Sequence, residues 1–270
     1  MSMHAFDAAI ALAPQEAGVW TGATSAAYGN MIGPFGGVTA AQALNAVLQH
    51  PELLGEPVAF TVNFAAALTD GEFTAHARPA RTNRSTQHWV VELREQGQTM
   101  MTATAFTATR RETWGSASES PMPEVPRPAD VPLPNRSGRV EWINRYEMRF
   151  IEGGFPPAWD GADHGDSRTR LWVRDQPARP LDFASLTALS DVFFPRIWRR
   201  RAKLTPIGTV TMTVYFHAGR KQLQATGTGY LLGQAQAQAF RNGYFDQTAQ
   251  LWNEAGELLA TTHQVVYYKE

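Results

Sequence analysis

Asp191 is the residue whose type and surroundings most clearly suggest chemistry in this sequence. It lies in the segment TALSDVFFP, from Thr187 to Pro195, whose other side chains are mostly apolar. A carboxylate in an apolar setting is difficult to ionise. If hydrogen-bond donors hold it there, such a group can act as a base or orient a water molecule. The ordinary alternative is a solvated Asp at a helix end, since acidic side chains are mostly exposed.

A helix and a strand are predicted to position this carboxylate. Asp182 is predicted to cap the helix at its N-terminus, and Pro195 to end or kink it near Phe194. Asp191 would then lie in the last turn, where the helix dipole makes a negative charge unfavourable. A strand follows, and alternation puts Thr209 on the face opposite to its apolar residues unless a bulge intervenes. Those apolar residues are Val210, Met212, Val214 and Phe216.

The composition bounds the class of protein. A chain of 270 residues with 43% hydrophobic residues can bury a substantial core. Lys and Arg number 24 against 25 Asp and Glu, so no overall positive charge predicts binding to nucleic acid or to an anionic membrane. The absence of Cys excludes disulfides, thiolate metal sites and a Cys nucleophile. With neither a basic leader nor a long apolar stretch, the sequence predicts a cytoplasmic protein without membrane spans.

The two halves of the chain follow one plan. In the first half, a helix predicted from Gly37 to Gln49 precedes four strand-like runs at 58–66, 73–81, 86–94 and 99–109. The second half repeats a helix followed by strands, and Thr213–Phe216 matches Thr61–Phe64. We therefore expect two similar α+β units, at residues 1–110 and 139–270. A proline-rich, extended linker is predicted at residues 111–138.

Four segments carry a resemblance to a known family. They are FGGVTAAQAL at Phe35–Leu44, TALSDVFFP at Thr187–Pro195, GTVTMTVYFH at Gly208–His217 and GELLATTHQ at Gly256–Gln264. Together they resemble the acyl-CoA thioesterases of the bacterial thioesterase II type. The resemblance implies a double hotdog fold, in which each of two fused units wraps an antiparallel sheet around a helix. It also implies hydrolysis of acyl-CoA to a free acid and coenzyme A, without a metal or another cofactor.

The resemblance further implies a catalytic group of three residues, which are Asp191, Thr209 and Gln264 in this sequence. Chemistry supports the set, because a carboxylate can accept a proton from water while a hydroxyl and an amide fix the direction of attack. Aligning the two halves puts Pro57 opposite Thr209 and Ala105 opposite Gln264. The first half is therefore not expected to carry a second site of this kind.

Candidate substrate-binding residues lie beside these segments. They are Gly36, Gly37, Arg196, Arg199 and Arg200. The arginines could bind coenzyme A phosphates, although a solvated basic surface is the more common role of such a cluster. Asp160, Asp163, His164 and Asp166 do not have the spacing of a calcium loop, so no metal site is predicted there. Exposed sheet edges and the family resemblance together predict a homodimer of double hotdogs.

Two other functions remain open at this stage. A hotdog hydratase or dehydratase would act on acyl thioesters with a histidine and a carboxylate, and neither half offers a clear pair. A non-catalytic acyl-CoA-binding protein is also compatible with the pattern, because a fold does not dictate turnover.

Overall fold

One antiparallel sheet runs through both halves of the chain in the computed structural model, which describes residues 3–116, 119–134 and 140–270. Its strands are β1 (Ala13–Glu16), β2 (Val19–Ala23), β3 (Glu56–Phe64), β4 (Glu72–Thr82), β5 (Thr86–Glu95), β6 (Gln98–Ala108), β7 (Tyr146–Glu152), β8 (Thr169–Asp175), β9 (Ile207–Phe216), β10 (Leu231–Gln236), β11 (Phe240–Arg241), β12 (Tyr244–Asn253) and β13 (Leu258–Tyr268). The strand order is β1-β2-β4-β5-β6-β3-β9-β13-β12-β10-β8-β7, with β11 paired to β12. The four strands predicted in the first half are confirmed as β3 to β6.

Two buried helices lie inside the curve of this sheet. The described helices are α1 (Ala5–Ala9), α2 (Gly36–Leu48), α3 (Phe183–Leu189), α4 (Arg196–Arg201) and α5 (Arg220–Thr226). Every residue of α3 and nearly every residue of α2 is buried, and the two helices pack against each other. Helices that are apolar all round must be covered on every side. The double hotdog prediction is confirmed by this architecture, in which each half of the sheet encloses one helix.

The helix that precedes Asp191 is shorter than predicted. Asp182 caps it as expected, because its carboxylate accepts a hydrogen bond from the Ser185 N–H at 2.8 Å. The helix ends at Leu189, however, and not near Phe194. The Ser190 hydroxyl donates to the Leu186 carbonyl at 2.8 Å, and the chain then leaves the helical path. Pro195 precedes α4, so it begins a second helix instead of ending the first.

The two halves meet at the centre of the sheet in a near-symmetric way. Strands β3 and β9 pair there, with Thr61 directly opposite Thr213 and their hydroxyl oxygens 3.0 Å apart. These are the residues that the sequence match made equivalent. Each central strand carries a bulge, at Val58 in β3 and at Val210 in β9. The repeated plan of the sequence therefore extends to a local irregularity of the backbone.

The proline-rich segment packs on the outer surface of the second half of the sheet. Val131 is buried there against aromatic side chains of β8 and β12. The Trp172 indole N–H donates to the Pro126 carbonyl at 2.8 Å, and the Trp252 indole N–H donates to the Ser120 carbonyl at 3.0 Å. This segment, which the sequence predicts to be a largely extended linker, thus also covers two tryptophans. Parts of the predicted linker, at 117–118 and 135–138, lie outside the described residues, and the proposed boundaries at 110 and 138 remain predictions.

No helix of the described residues is long and apolar enough to cross a membrane.

Candidate active site

Asp191 lies where the end of α3 meets the start of α2. The Gly37 N–H donates a hydrogen bond to its carboxylate. A Cβ atom added to Gly36 would lie 2.9 Å from Asp191 Oδ2, and one added to Gly37 would lie 2.6 Å from the Ala188 carbonyl oxygen. Contacts this short are not tolerated between real side chains and backbone. Gly37 is thus required for the close approach of α2 to α3, and the absence of a side chain at Gly36 leaves space beside Asp191 Oδ2.

Gln264 is the side chain that contacts Asp191 from the sheet. Its Nε2 donates to Asp191 Oδ1 at 2.8 Å and also lies 3.3 Å from Met212 Sδ. Gln264 is only 3% exposed, and its strand partner in β9 is Met212. The amide is therefore held between the sheet and the carboxylate, with Asp191 Oδ2 left on the side of Gly36.

The bulge at Val210 decides where Thr209 points. Val265 pairs with Thr211 and Val266 pairs with Thr209, so Val210 has no partner in β13. Directly paired residues share a face of a sheet, so Thr209 lies on the same face as Val266 and Gln264. The continuous apolar face predicted for β9 is wrong at Val210, which is 37% exposed. No hydrogen bond joins the Thr209 hydroxyl to Asp191 or Gln264 within the described ranges.

Burial controls the protonation of Asp191. It raises the pKa of the carboxyl group from 3.8 to about 7, while the hydrogen bonds from Gln264 and Gly37 act in the opposite direction. Desolvation wins because no cation pairs with Asp191 in the described part of the chain. The side chain nevertheless keeps partial access to solvent. Near neutral pH the group can thus both accept and release a proton.

The three candidate arginines have different surroundings. Arg196 is fully buried, and its guanidinium donates to the Phe194 and Ser167 carbonyls and to the Thr169 hydroxyl. Burial lowers its pKa to about 9. A buried guanidinium with these partners cannot reach a coenzyme A phosphate, so the expectation for Arg196 is corrected: the residue holds α4 against the β7–β8 connection.

The other two candidate arginines, Arg199 and Arg200, are more accessible than Arg196. Arg200 forms an ion pair with Asp163, with its Nε 2.5 Å from Oδ1, and also donates to the Gly165 carbonyl at 3.0 Å. Arg199 is half-buried and has no ion pair among the described residues, and its Nε has no hydrogen-bond partner there. Of the three arginines, Arg199 thus has the charge that is least committed within the chain.

The aspartates of the segment that follows β7 stabilise local turns. Asp160, Asp163 and Asp166 each accept a hydrogen bond from the N–H two residues later. Such Asx turns explain why aspartates recur at this spacing. Within residues 3–116, 119–134 and 140–270, no group of three or more acidic or histidine side chains is arranged to hold a metal ion.

Comparison with known proteins decides the family. Residues 25–109 match the model of the acyl-CoA thioesterase N-terminal domain, and residues 120–268 match that of the C-terminal domain. The chain belongs to the acyl-CoA thioesterase family. The resemblance read from the four sequence segments is confirmed. No curated protein sequence matches this acyl-CoA thioesterase family member.

Solved structures extend the comparison. A hot dog fold protein of unknown function from Alicyclobacillus acidocaldarius is 46% identical, with a TM-score of 0.93 over 100% of this chain and 99% of that one. The acyl-CoA thioesterase II TesB2 from Mycobacterium marinum is 16% identical, with a TM-score of 0.74 over 98% of both chains. A tesB protein of Mycobacterium avium subs paratuberculosis is 19% identical, with a TM-score of 0.76 over 98% of both chains. The two mycobacterial structures share the fold of this family member.

Sequence reasoning missed a second buried carboxylate near the site. Asp175 is 2% exposed, and burial raises its pKa to about 6. It accepts a hydrogen bond from the Ser185 hydroxyl of α3 at 2.5 Å. The available signal was an Asp at the end of the strand that contains the apolar run Leu171–Val173, where a carboxylate is easily overlooked.

Proposed function

We propose that this chain hydrolyses acyl-CoA to a free carboxylic acid and coenzyme A, with Asp191 as the general base. The observation that carries the proposal is the hydrogen bond from Gln264 to a largely desolvated Asp191, which no cation pairs with among the described residues. A base whose pKa lies close to the working pH combines the ionised form with useful basicity. The membership of the acyl-CoA thioesterase family supports the same class of reaction.

The proposed reaction needs no covalent intermediate with the protein. A water molecule attacks the thioester carbonyl carbon while Asp191 accepts one of its protons. The tetrahedral intermediate then collapses, the carbon–sulfur bond breaks, and the leaving sulfur takes the proton from Asp191. Water and thioester thereby become a carboxylic acid and a thiol, and the carboxylate is regenerated.

Gln264 and Gly36 have distinct proposed roles. The Gln264 amide occupies Asp191 Oδ1, which leaves Oδ2 to accept the proton of the water. Gly36 has no side chain to block that oxygen, and its added Cβ would lie only 2.9 Å away. The N-terminus of α2 lies beside the same oxygen, and the positive end of its helix dipole favours negative charge on the thioester oxygen. Thr209 is proposed to hold the attacking water through its hydroxyl.

Substrate recognition is proposed for Arg199, with Arg200 in a secondary role. Arg199 lies in the helix that follows Asp191 by a few residues, and it has no described ion pair to break on binding a phosphate. Arg200 would first have to leave Asp163. A homodimer is also proposed, because the sheet ends at two strand edges, β1 and β7, that lack a neighbour.

The test is thiol release from a panel of acyl-CoA thioesters by purified wild-type protein and by the Asp191→Asn variant. Release by wild type and its loss in the variant is the expected result. Consumption of an unsaturated thioester without thiol release would instead favour a hydratase. That outcome is not expected, because no histidine hydrogen-bonds to Asp191 in the described residues. Binding of acyl-CoA without any turnover would favour a non-catalytic binding protein.

A further inference from the structure

Three oxygen atoms behind the candidate site are buried without a hydrogen-bond partner in the described part of the chain. They are Tyr28 Oη, Tyr146 Oη and Asp175 Oδ1. The three residues are 0%, 1% and 2% exposed, respectively. Tyr146 and Asp175 are directly opposite each other in the β7–β8 pair, and the two tyrosine rings have centroids 6.2 Å apart. The three residues therefore form one internal cluster.

The hydrogen-bond donors and acceptors of the cluster indicate a water molecule as its ligand. A buried polar atom without a partner destabilises the folded state, so a partner is favoured at such a position. The three oxygens do not hydrogen-bond to one another, and two phenols with one carboxylate offer both donors and an acceptor. One water molecule can accept from a phenol and donate to the carboxylate, and buried waters typically make about three such bonds. The charge of Asp175 also acts on both phenols, where after burial it is the next cause of their raised pKa values.

Two paths of direct contact link this cluster to Asp191. Asp175 Oδ2 accepts from the Ser185 hydroxyl at 2.5 Å, which fixes α3, the helix that ends just before Asp191. On the other side, the Tyr146 ring packs edge-on against Phe35 with centroids 6.0 Å apart. The Phe35 ring in turn lies against Gly37, whose N–H donates to Asp191.

We propose that Tyr28, Tyr146 and Asp175 bind an internal water molecule, and that this hydrated cluster positions Asp191 by bracing the contact between α2 and α3. The claim that the cluster positions Asp191 rests on the proposed function, whereas the claim of a bound water does not. The three residues are positioning residues, since none of them touches the reacting atoms.

The water is tested by the sign of a stability change in Tyr28→Phe and Tyr146→Phe. If a water is bound, each variant removes a satisfied hydrogen bond, and its melting temperature should fall. If the cluster is dry, each variant removes an unsatisfied hydroxyl, and an equal or higher melting temperature would overturn the proposal. Tyr215→Phe is the matched control, because Tyr215 is 51% exposed and its hydroxyl lies outside the core. A high-resolution crystal structure should show the water between the three oxygens, and its absence would refute the site.

The positioning role is tested by the pH profile of thiol release. A slackened Gly37 N–H contact would weaken one of the two hydrogen bonds that lower the pKa of Asp191. The acid limb of kcat/KM should then move to higher pH in Tyr146→Phe, and kcat near neutral pH should fall by about 3- to 10-fold with KM unchanged. If the melting temperature fell but the acid limb did not move, the positioning role would be refuted and the bound water would still be supported. If wild type released no thiol, the proposed function would fail, yet the melting comparison would still decide the water.

Discussion

Replacing Asp191 with Asn is the perturbation that most directly tests the reaction chemistry. Asn preserves the size of the side chain but cannot accept a proton from water. Loss of a positioned general base typically lowers the rate by about 10²–10⁴-fold. Because the pKa of Asp191 is raised to about 7, thiol release by wild type should rise with pH through an acid limb centred near that value. In Asp191→Asn the residual rate should lack this limb.

The same substitution has a stability signature whose sign follows from the burial of Asp191. A folded-state pKa raised from 3.8 to about 7 means that folding favours the protonated carboxyl group, so this contribution is present below pH 3.8 and lost as the pH rises through about 7. The difference corresponds to at most ~4 kcal/mol. Because Asp191 keeps some solvent exposure, we expect about half of that, ~2 kcal/mol. The Asn side chain cannot ionise, so the variant does not lose stability at this position as the pH rises.

Melting curves at several pH values measure this difference. The melting temperature of Asp191→Asn minus that of wild type should increase by roughly 4–8 °C between about pH 4 and about pH 8, given 2–4 °C per kcal/mol for a chain of this length. Asp175 titrates in both proteins and cancels in the comparison. Asp70→Asn, at an exposed loop position, is the matched control and should behave as wild type. Equal thiol release by wild type and Asp191→Asn would remove Asp191 from the mechanism, and a pH-independent melting difference would refute its burial.

Three other predictions concern neighbouring parts of the site and the assembly. Gln264→Ala and Thr209→Ala should each lower kcat by about 10- to 100-fold. Combined with Asp191→Asn, each should lower kcat little further, because all three residues act on one water. Additive losses would contradict a shared role. Arg199→Gln should raise KM for acyl-CoA by roughly 10-fold with kcat unchanged, since a charge-assisted contact to a phosphate is lost, whereas an equal rise for an acyl thioester without phosphates would rule out that contact. Light scattering should give twice the mass of one chain at micromolar concentration, and a strict monomer would refute the homodimer.

The sequence predicted the elements of this fold well where local pattern decides them. Strands β3 to β6 coincide with runs of alternating apolar and polar residues. Asp182 was predictable as a helix cap because its side chain accepts a hydrogen bond from an N–H only three residues away. The end of α3 was misjudged because apolar residues continue to Phe194, although the chain leaves the helix at Ser190. At that end the Ala188 carbonyl lies close to Gly37 of α2, and a contact between segments so far apart in the chain has no local signature.

The candidate site was predictable in its membership but not in its geometry. Resemblance to a family pointed to Asp191 and Gln264, and the structure brings them within 2.8 Å. The direction of Thr209 depended on a bulge at Val210, which is set by pairing with β13 and not by the sequence of β9. The burial of Arg196 was equally hidden, since an arginine among four basic neighbours reads as a surface residue. Each miss involves a contact between segments that are distant in the chain.

The near-symmetry of the two halves explains why the proposed site is expected in the second half and not in the first. The bulge at Val58 is the counterpart of the bulge at Val210, so the backbone that turns Thr209 toward the core also exists in the first half. There, however, the turned residue is Pro57, which has no hydroxyl and no N–H. Ala105 pairs with Phe60 just as Gln264 pairs with Met212, and an alanine side chain offers no amide to hold a carboxylate. On the proposed function, the first half therefore has the backbone irregularity of the site without its polar side chains, and contributes Gly36 and Gly37 to the surroundings of Asp191.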